Sequence, residues 1–368
     1  MSPTTTTLPT GAPTSPLFEI RETPHSGRAV FATKDIPNDT LLWRSTDLTL
    51  DVLLREYRRE VCGECFAYDH GRDLPIRDQS LGFAFCTPSC LETWKSRNGP
   101  LGIQAWTAVE KLVKKRSKED SEMVSPDLPR PSTKRIAEAW DTTTTAASLI
   151  RVARAADRDS PANQAGVAVP VDHDGGGVKC TKQHRKAVQK ALLQPLNPDI
   201  ISFVLSGILH TYHNPSAWPC ILALASDDTP YSSADDLAAY TRTYLHLLAV
   251  LPLPLLPHVT AESIRLLGSR DSHNSFGIRS LEDEGAEFFG YGCWPSASYF
   301  NHSCAPSVAK RRDGRVWEFR SARDVKEGEE LCITYLSGEE RRLSRGKRVG
   351  ILKRNWGFDC ACDRCEGV

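Results

Sequence analysis

The sequence predicts an α+β chain, mainly β at its two ends and split in the middle by a cysteine-rich unit and a helical insert. Three observations carry this. Short β-branched and aromatic runs punctuated by turn residues lie between Phe18 and Trp43 and return from Glu287 to Tyr335. Cys62, Cys65, Cys86 and Cys90 crowd into a stretch with no long apolar period of its own. Between these regions apolar residues recur at helical spacing.

Taken in order, residues 1–16 are rich in Thr and Pro, with few apolar anchors, and read as a disordered lead. Phe18 to Ile20 and Ala29 to Ala32, separated by His25-Ser26-Gly27, predict a hairpin, and Asp35 to Asp39 predict a turn before a strand from Thr40 to Trp43. This first half runs over 17–60, and the cysteine unit over 61–98. Helical spacing marks Ile103 to Lys118, Gln183 to Leu193, Asp199 to Tyr212 and Ala234 to Leu251, within a mainly helical insert over 99–270. The Asp- and Gly-rich stretch 157–180 reads as an exposed loop. Strand texture returns over 271–340, with strands at Arg315 to Arg320 and Leu331 to Tyr335 flanking the Glu327-Gly328 turn, and a basic segment and three cysteines close the chain over 341–368. Gly290-Tyr291-Gly292 lacks the rest of a nucleotide-binding fingerprint and reads as a bend.

Charge and hydropathy exclude several functions. Lys plus Arg and Asp plus Glu both number 46, so no global basic charge favours nucleic acid. No run of apolar residues is long enough to span a bilayer, and the start of the chain lacks the basic and apolar regions of a secretory signal, so a soluble intracellular protein with no membrane partner is expected. In a reducing compartment, clustered cysteines are more often metal ligands than disulfides.

Twelve cysteines are present. Cys62-x-x-Cys65 and Cys86-x-x-x-Cys90 have the paired spacing that closes one tetrahedral zinc site, four buried inert thiols being the alternative. Cys360, Cys362 and Cys365 supply three ligands, and the fourth is sought elsewhere, with Cys304 the best candidate and free thiols the alternative. If all ligands are thiolates, neither metal keeps an open position, so both would be structural. Cys293 and Cys332 sit in apolar runs and read as core packing.

Four stretches then carry a family likeness. Ser26-Gly27-Arg28-Ala29-Val30-Phe31-Ala32, Tyr299-Phe300-Asn301-His302-Ser303-Cys304, Gly328-Glu329-Glu330-Leu331-Cys332-Ile333-Thr334-Tyr335 and the terminal Cys360-x-Cys362-x-x-Cys365 resemble, in order, the signatures of SET-domain lysine methyltransferases with a post-SET zinc loop. The cysteine unit and insert splitting the halves resemble the SET-and-MYND branch, in its small fungal form. With four cysteines in 61–98, the resemblance implies a reduced, one-zinc MYND-like finger. Pro306-Ser307 stands where Pro-Asn is common, and the helical-repeat tail of larger members is absent.

The resemblance implies a SET fold of small sheets with a pseudoknot-like crossing beside the cofactor, S-adenosyl-L-methionine (AdoMet). It implies AdoMet contacts from Ser26, Gly27, Arg28, Asn274, Asn301, His302 and Phe358, about two structural zinc ions, and Tyr335 as the catalytic tyrosine. Methyl transfer to an amine is an in-line displacement, so alignment and a deprotonated lysine matter more than a covalent nucleophile. A tyrosine hydroxyl and backbone carbonyls in an apolar channel orient the amine; without the motif, Tyr335 would read as a buried strand tyrosine. His302 is expected to make backbone and packing contacts near the adenine rather than to act as a base. The seven Lys and Arg residues of Arg341 to Arg354 read as one solvated helix face.

The function expected is AdoMet-dependent methyl transfer to lysine side chains of proteins, histone and non-histone targets being equally compatible. A catalytically silent zinc-stabilised interaction scaffold is the alternative from another class. A monomer in the nucleus or cytoplasm, without direct nucleic-acid binding, is expected.

Overall fold

The computed structural model describes residues 10–23, 27–116, 129–156, 179–281, 285 and 287–367. Ser26 and all but the last two residues of the expected loop at 157–180 lie outside the described residues, as do residues 1–9 of the expected lead. Residues 10–16 pack against the fold: Pro13 is buried, and Ala12 lies against the core.

The first half contributes β1 (Phe18–Thr23), β2 (Gly27–Ala32), β3 (Leu41–Ser45) and β4 (Leu50–Leu53). The cysteine unit holds β5 (Ile76–Asp78) and β6 (Phe83–Phe85). The insert is α1 (Pro88–Lys115), α2 (Thr133–Ala156), α3 (Lys182–Leu192), α4 (Pro198–His213), α5 (Trp218–Leu222), α6 (Ala234–Val250) and α7 (Ala261–Asn274). The second half returns to β7 (Ser275–Arg279), β8 (Phe288–Cys293), β9 (Val308–Asp313) and β10 (Val316–Ser321), then closes with α8 (Arg345–Trp356) and α9 (Asp363–Glu366).

The two halves are one unit because their strands share sheets. β1 and β2 form the expected hairpin, in register from Phe18 opposite Ala32 to Thr23 opposite Gly27. β3 lies beside β10, which pairs with β9, and β4 lies beside β8, which pairs with β7. The rings of Phe300 and Phe319 stack at 4.7 Å, with Phe18 edge-on to Phe300 at 6.0 Å, so aromatic packing seals the hairpin to the β3-β10-β9 sheet.

Two sequence expectations are corrected. Gly290-Tyr291-Gly292 is not a bend but the middle of β8, where Gly290 lies between Leu53 of β4 and Ile278 of β7. A Cβ there would stand 2.0 Å from the Val52 carbonyl oxygen, so only glycine lets the strands close. Gly290→Ala is expected to destabilise the protein by about 3 kcal/mol, read as a lower midpoint in chemical denaturation; an unchanged midpoint would contradict this packing. Secondly, Leu331 to Tyr335 forms no regular strand. It makes isolated contacts on two sides: Leu331 N–H donates to Val30 O at 2.7 Å, while Ile333 N–H donates to Asn301 O at 2.9 Å and its carbonyl accepts from Ser303 N–H at 2.8 Å. A segment gripped by two different neighbours cannot continue one ladder. This crossing brings the third signature between the first two.

The insert packs through α4, an apolar helix started by Asn197, whose side chain accepts from the N–H groups of Asp199 and Ile200 at 3.0 Å. Asp51 N–H at β4 donates to Ser206 Oγ of α4 at 3.0 Å, and Arg55 forms a fork of 2.8 and 2.9 Å with the buried Glu110 of α1. In the cysteine unit, Phe83 meets Trp94 and Trp106 at 5.6 and 5.2 Å, an aromatic cluster that joins β6 to α1.

Candidate active site and zinc centres

Both cysteine sets come together as the spacing predicts. The thiol sulfurs of Cys62, Cys65, Cys86 and Cys90 lie within 4.8 Å of one another, as do those of Cys304, Cys360, Cys362 and Cys365. Four sulfurs about 2.3 Å from a tetrahedral zinc stand roughly 3.8 Å apart. The observed separations of 3.5 Å for Cys65–Cys86 and Cys86–Cys90, and of 3.6 and 4.0 Å from Cys304 to Cys365 and Cys360, fit that ion.

Two of these thiols, Cys62 and Cys362, are drawn toward thiolate, while the neighbouring Cys62 thiol raises Cys65 and burial raises Cys86, Cys304 and Cys360. A hydrogen bond from the Cys65 thiol, outweighing burial, pulls Cys62 down to about 4. Burial opposes ionisation of Cys362, yet the Cys304 N–H, 3.4 Å from its sulfur, and the Cys360 thiol bring it down to about 7. Arg348 donates through Nε to Cys304 Sγ at 3.4 Å and through Nη2 to Cys365 Sγ at 3.6 Å. The other six basic residues of 341–354 are exposed, as a solvated face requires; Arg348 of α8, only 4 % exposed, is the exception, because it turns inward onto the thiols. Spacing alone gave no sign of it, since one inward arginine looks like its exposed neighbours.

Five of the expected cofactor residues, Arg28, Asn274, Asn301, His302 and Phe358, meet along one segment, 298–302. Asn301 Nδ2 donates to Arg28 O and to Glu330 Oε1, both at 3.0 Å, tying the hairpin and the crossing together. Arg28 donates to the Tyr299 hydroxyl at 3.0 Å and to Ala223 O at 2.6 Å. Asn274 donates to Ala225 O and Arg270 O, and its own carbonyl accepts from Ser298 Oγ at 3.0 Å. The ring of Phe358 stands 6.0 Å from His302 and 6.3 Å from Tyr335. Gly27 has φ +65°, and none of the described residues other than its chain neighbour comes within 4 Å of where its Cβ would stand, so a ligand can approach the backbone there.

Both nitrogens of His302 are occupied. Nδ1 accepts from Tyr335 N–H at 3.0 Å, which puts the ring proton on Nε2, 3.4 Å from Cys304 Sγ. Burial, reinforced by the charges of Lys310 and Arg348, holds the imidazole near 4. It is therefore a neutral brace between the crossing and the C-terminal thiols, with no free nitrogen for a substrate.

Tyr335 donates its hydroxyl proton to Phe300 O at 3.1 Å. Burial first, then the nearby Cys332 and Glu330 groups, push its phenol well above the usual range, so it stays protonated. Tyr335 lines a cavity of about 670 Å³ whose walls include the rings of Phe276, Tyr291, Trp317 and Trp356 and the polar Asn274, Lys310 and Glu340. Trp356 lies 5.4 Å from Tyr335, and Phe276 lies 5.5 Å from Trp317. Sequence reasoning missed Phe276, Trp356 and the Phe300 carbonyl. The nearness of Phe276 to Asn274 and of Trp356 to Phe358 was the available signal. A neutral hydroxyl and a carbonyl beside aromatic walls can hold an amine by its N–H groups.

Among known proteins, a family model described as SET domain matches residues 27–336. The chain is 27% identical over 391 residues to a Saccharomyces cerevisiae protein named potential protein lysine methyltransferase SET6, covering 96% of this chain and 95% of that protein. It is 33% identical over 179 residues to the Arabidopsis thaliana histone-lysine N-methyltransferase ASHR2, covering 45% of this chain and 44% of that protein. The match to the mouse protein-lysine N-trimethyltransferase SMYD5 is 35% over 92 residues, covering 24% of this chain and 22% of that protein.

Proposed function

Because the chain belongs to the SET-domain family, we propose that it is a protein-lysine methyltransferase that takes the methyl group of AdoMet and delivers it to a lysine amine presented at Tyr335. The observation that carries this is the Tyr335 hydroxyl bound to the Phe300 carbonyl, within the segment where the cofactor positions meet, in a residue that lines a cavity with Phe276, Trp317 and Trp356.

AdoMet, when bound, supplies an electrophilic methyl group on a sulfonium. Gly27, Arg28, Asn274, Asn301, His302 and Phe358 would hold it, and Ser26 precedes them in the same motif. The Tyr335 oxygen, whose proton is committed to Phe300 O, keeps lone pairs to accept an N–H of the incoming amine. Phe276 and Trp356 line the cavity and would flank the lysine stem, so that the amine lone pair is held in line with the methyl group. The lysine releases its proton to solvent before transfer, since neither the protonated phenol nor His302 is suited to take it. The C-terminal zinc would fix Cys304 beside His302 and the loop carrying Phe358, while the other zinc would hold the reduced MYND-like finger.

The test incubates zinc-replete protein and deuteromethyl-AdoMet with histone octamers and with nuclear and cytoplasmic protein fractions, followed by mass spectrometry of lysine. Labelled methyl-lysine above an AdoMet-free control supports the reading and separates histone from non-histone targets. No label in any fraction, with AdoMet binding absent, favours the interaction scaffold.

A further inference from the structure

The cavity at Tyr335 holds a cation that the reaction as described does not use. Lys310 of β9 projects its ammonium over the rings of Phe276 and Trp317, at 5.1 and 5.7 Å from their centroids. It lines the same cavity as Tyr335 and Trp356. Among the described residues its ammonium has no hydrogen bond and no ion pair. Burial, with the like charge of Arg279 second, brings it down to about 8.

The other charged groups around the cavity are engaged or at its rim. Arg279 donates to Gly285 O at 2.9 Å and lies over Phe288, and His273 faces Asp227 at 3.5 Å. Glu340 accepts from Ser337 N–H at 2.8 Å, and Glu339 and Arg342 are exposed. Lys310 is half-buried; an ammonium partly withdrawn from water with no carboxylate partner is costly, and here it shares a cavity with the site for another amine. A substrate carboxylate that reaches the cavity beside the target amine meets this ammonium as its natural partner.

We propose that Lys310 anchors a carboxylate side chain of the substrate protein, so that the enzyme selects lysines flanked by Asp or Glu. This rests on the reading of the cavity as the entry for the target lysine. The carboxylate would supply the counter-charge that the Lys310 ammonium lacks among the described residues.

The experiment is a peptide set with one central lysine in an alanine background, carrying Asp, Glu, Gln or Arg at each flanking position in turn, with methyl transfer from labelled AdoMet as the readout. Wild-type protein is expected to prefer an acidic residue over Gln, at one flanking position, by about tenfold or more in kcat/KM. In Lys310→Met, which keeps the apolar stem over Phe276 and Trp317, that ratio is expected to fall to about one, and in Lys310→Glu the preference is expected to turn toward Arg, as charge complementarity requires. Unchanged AdoMet affinity in both variants establishes that they fold. Transfer to the peptides with no acidic preference, or a preference that survives Lys310→Met, overturns the inference and leaves the methyltransferase reading standing. No transfer to any peptide or protein fraction overturns both.

Discussion

Tyr335→Phe is expected to lower kcat by about 100-fold or more, in the range for removal of one pre-organised polar group from a water-excluded site, while AdoMet affinity stays unchanged. The substitution removes only the oxygen. The ring keeps its contacts with His302, Trp356 and Phe358, and the backbone N–H keeps its bond to His302 Nδ1. What is lost is the acceptor for the lysine amine and the donor to Phe300 O, whose carbonyl is left without that partner. Because the phenol is held above its usual range and stays protonated at neutral pH, the shape of the pH–rate profile is expected to persist in the variant at reduced amplitude. Full activity in Tyr335→Phe, measured by single-turnover methyl transfer, would remove the tyrosine from the reaction.

The second large effect concerns the C-terminal thiols. Cys365→Ala is expected to reduce bound zinc from about two ions per chain to about one, and to abolish measurable AdoMet binding. The link is structural: the loop that carries Phe358 against His302 is held by Cys360, Cys362 and Cys365, and its partner Cys304 sits two residues beyond His302. Arg348→Met is expected to weaken zinc at that site by about 10- to 100-fold, as losses among groups hydrogen-bonded to metal ligands do. Cys62→Ala is expected to remove the other ion and lower stability, leaving AdoMet binding in place. Mass spectrometry for zinc, beside calorimetry for AdoMet, reads all three. Equal loss of AdoMet binding in Cys62→Ala and Cys365→Ala would contradict separate roles for the two sites.

Much of this was legible because it was written in spacing. The cysteine sets needed only sequence distance, and Cys304, 56 residues before Cys360, was reached by arithmetic on ligand number. The β1-β2 hairpin was visible from its turn residues. Other elements were hidden for physical reasons. α2 carries four consecutive threonines, poor helix formers, and it is helical because Trp140 and Ile150 are buried and Trp140 Nε1 donates to the Tyr231 hydroxyl at 3.0 Å. Thr142, Thr143 and Thr144 turn their hydroxyls back onto carbonyls four residues earlier. β8 was obscured by its glycines, which signal turns locally but here let three strands approach. Phe276, Trp317 and Lys310 belong to three different strands, so only the folded sheets show that they share one cavity. The crossing at Leu331 to Tyr335 was expected from the family likeness and could not be read from alternation, since its hydrogen bonds serve two neighbours.

The most direct test of the central claim is calorimetric titration of zinc-replete protein with AdoMet, in wild type, Asn301→Ala and Tyr335→Phe. The account predicts micromolar binding by wild type, its loss in Asn301→Ala, where the tie between Arg28 and Glu330 is cut, and its retention in Tyr335→Phe. No binding by the wild-type chain, with zinc confirmed at about two ions per chain, would contradict it.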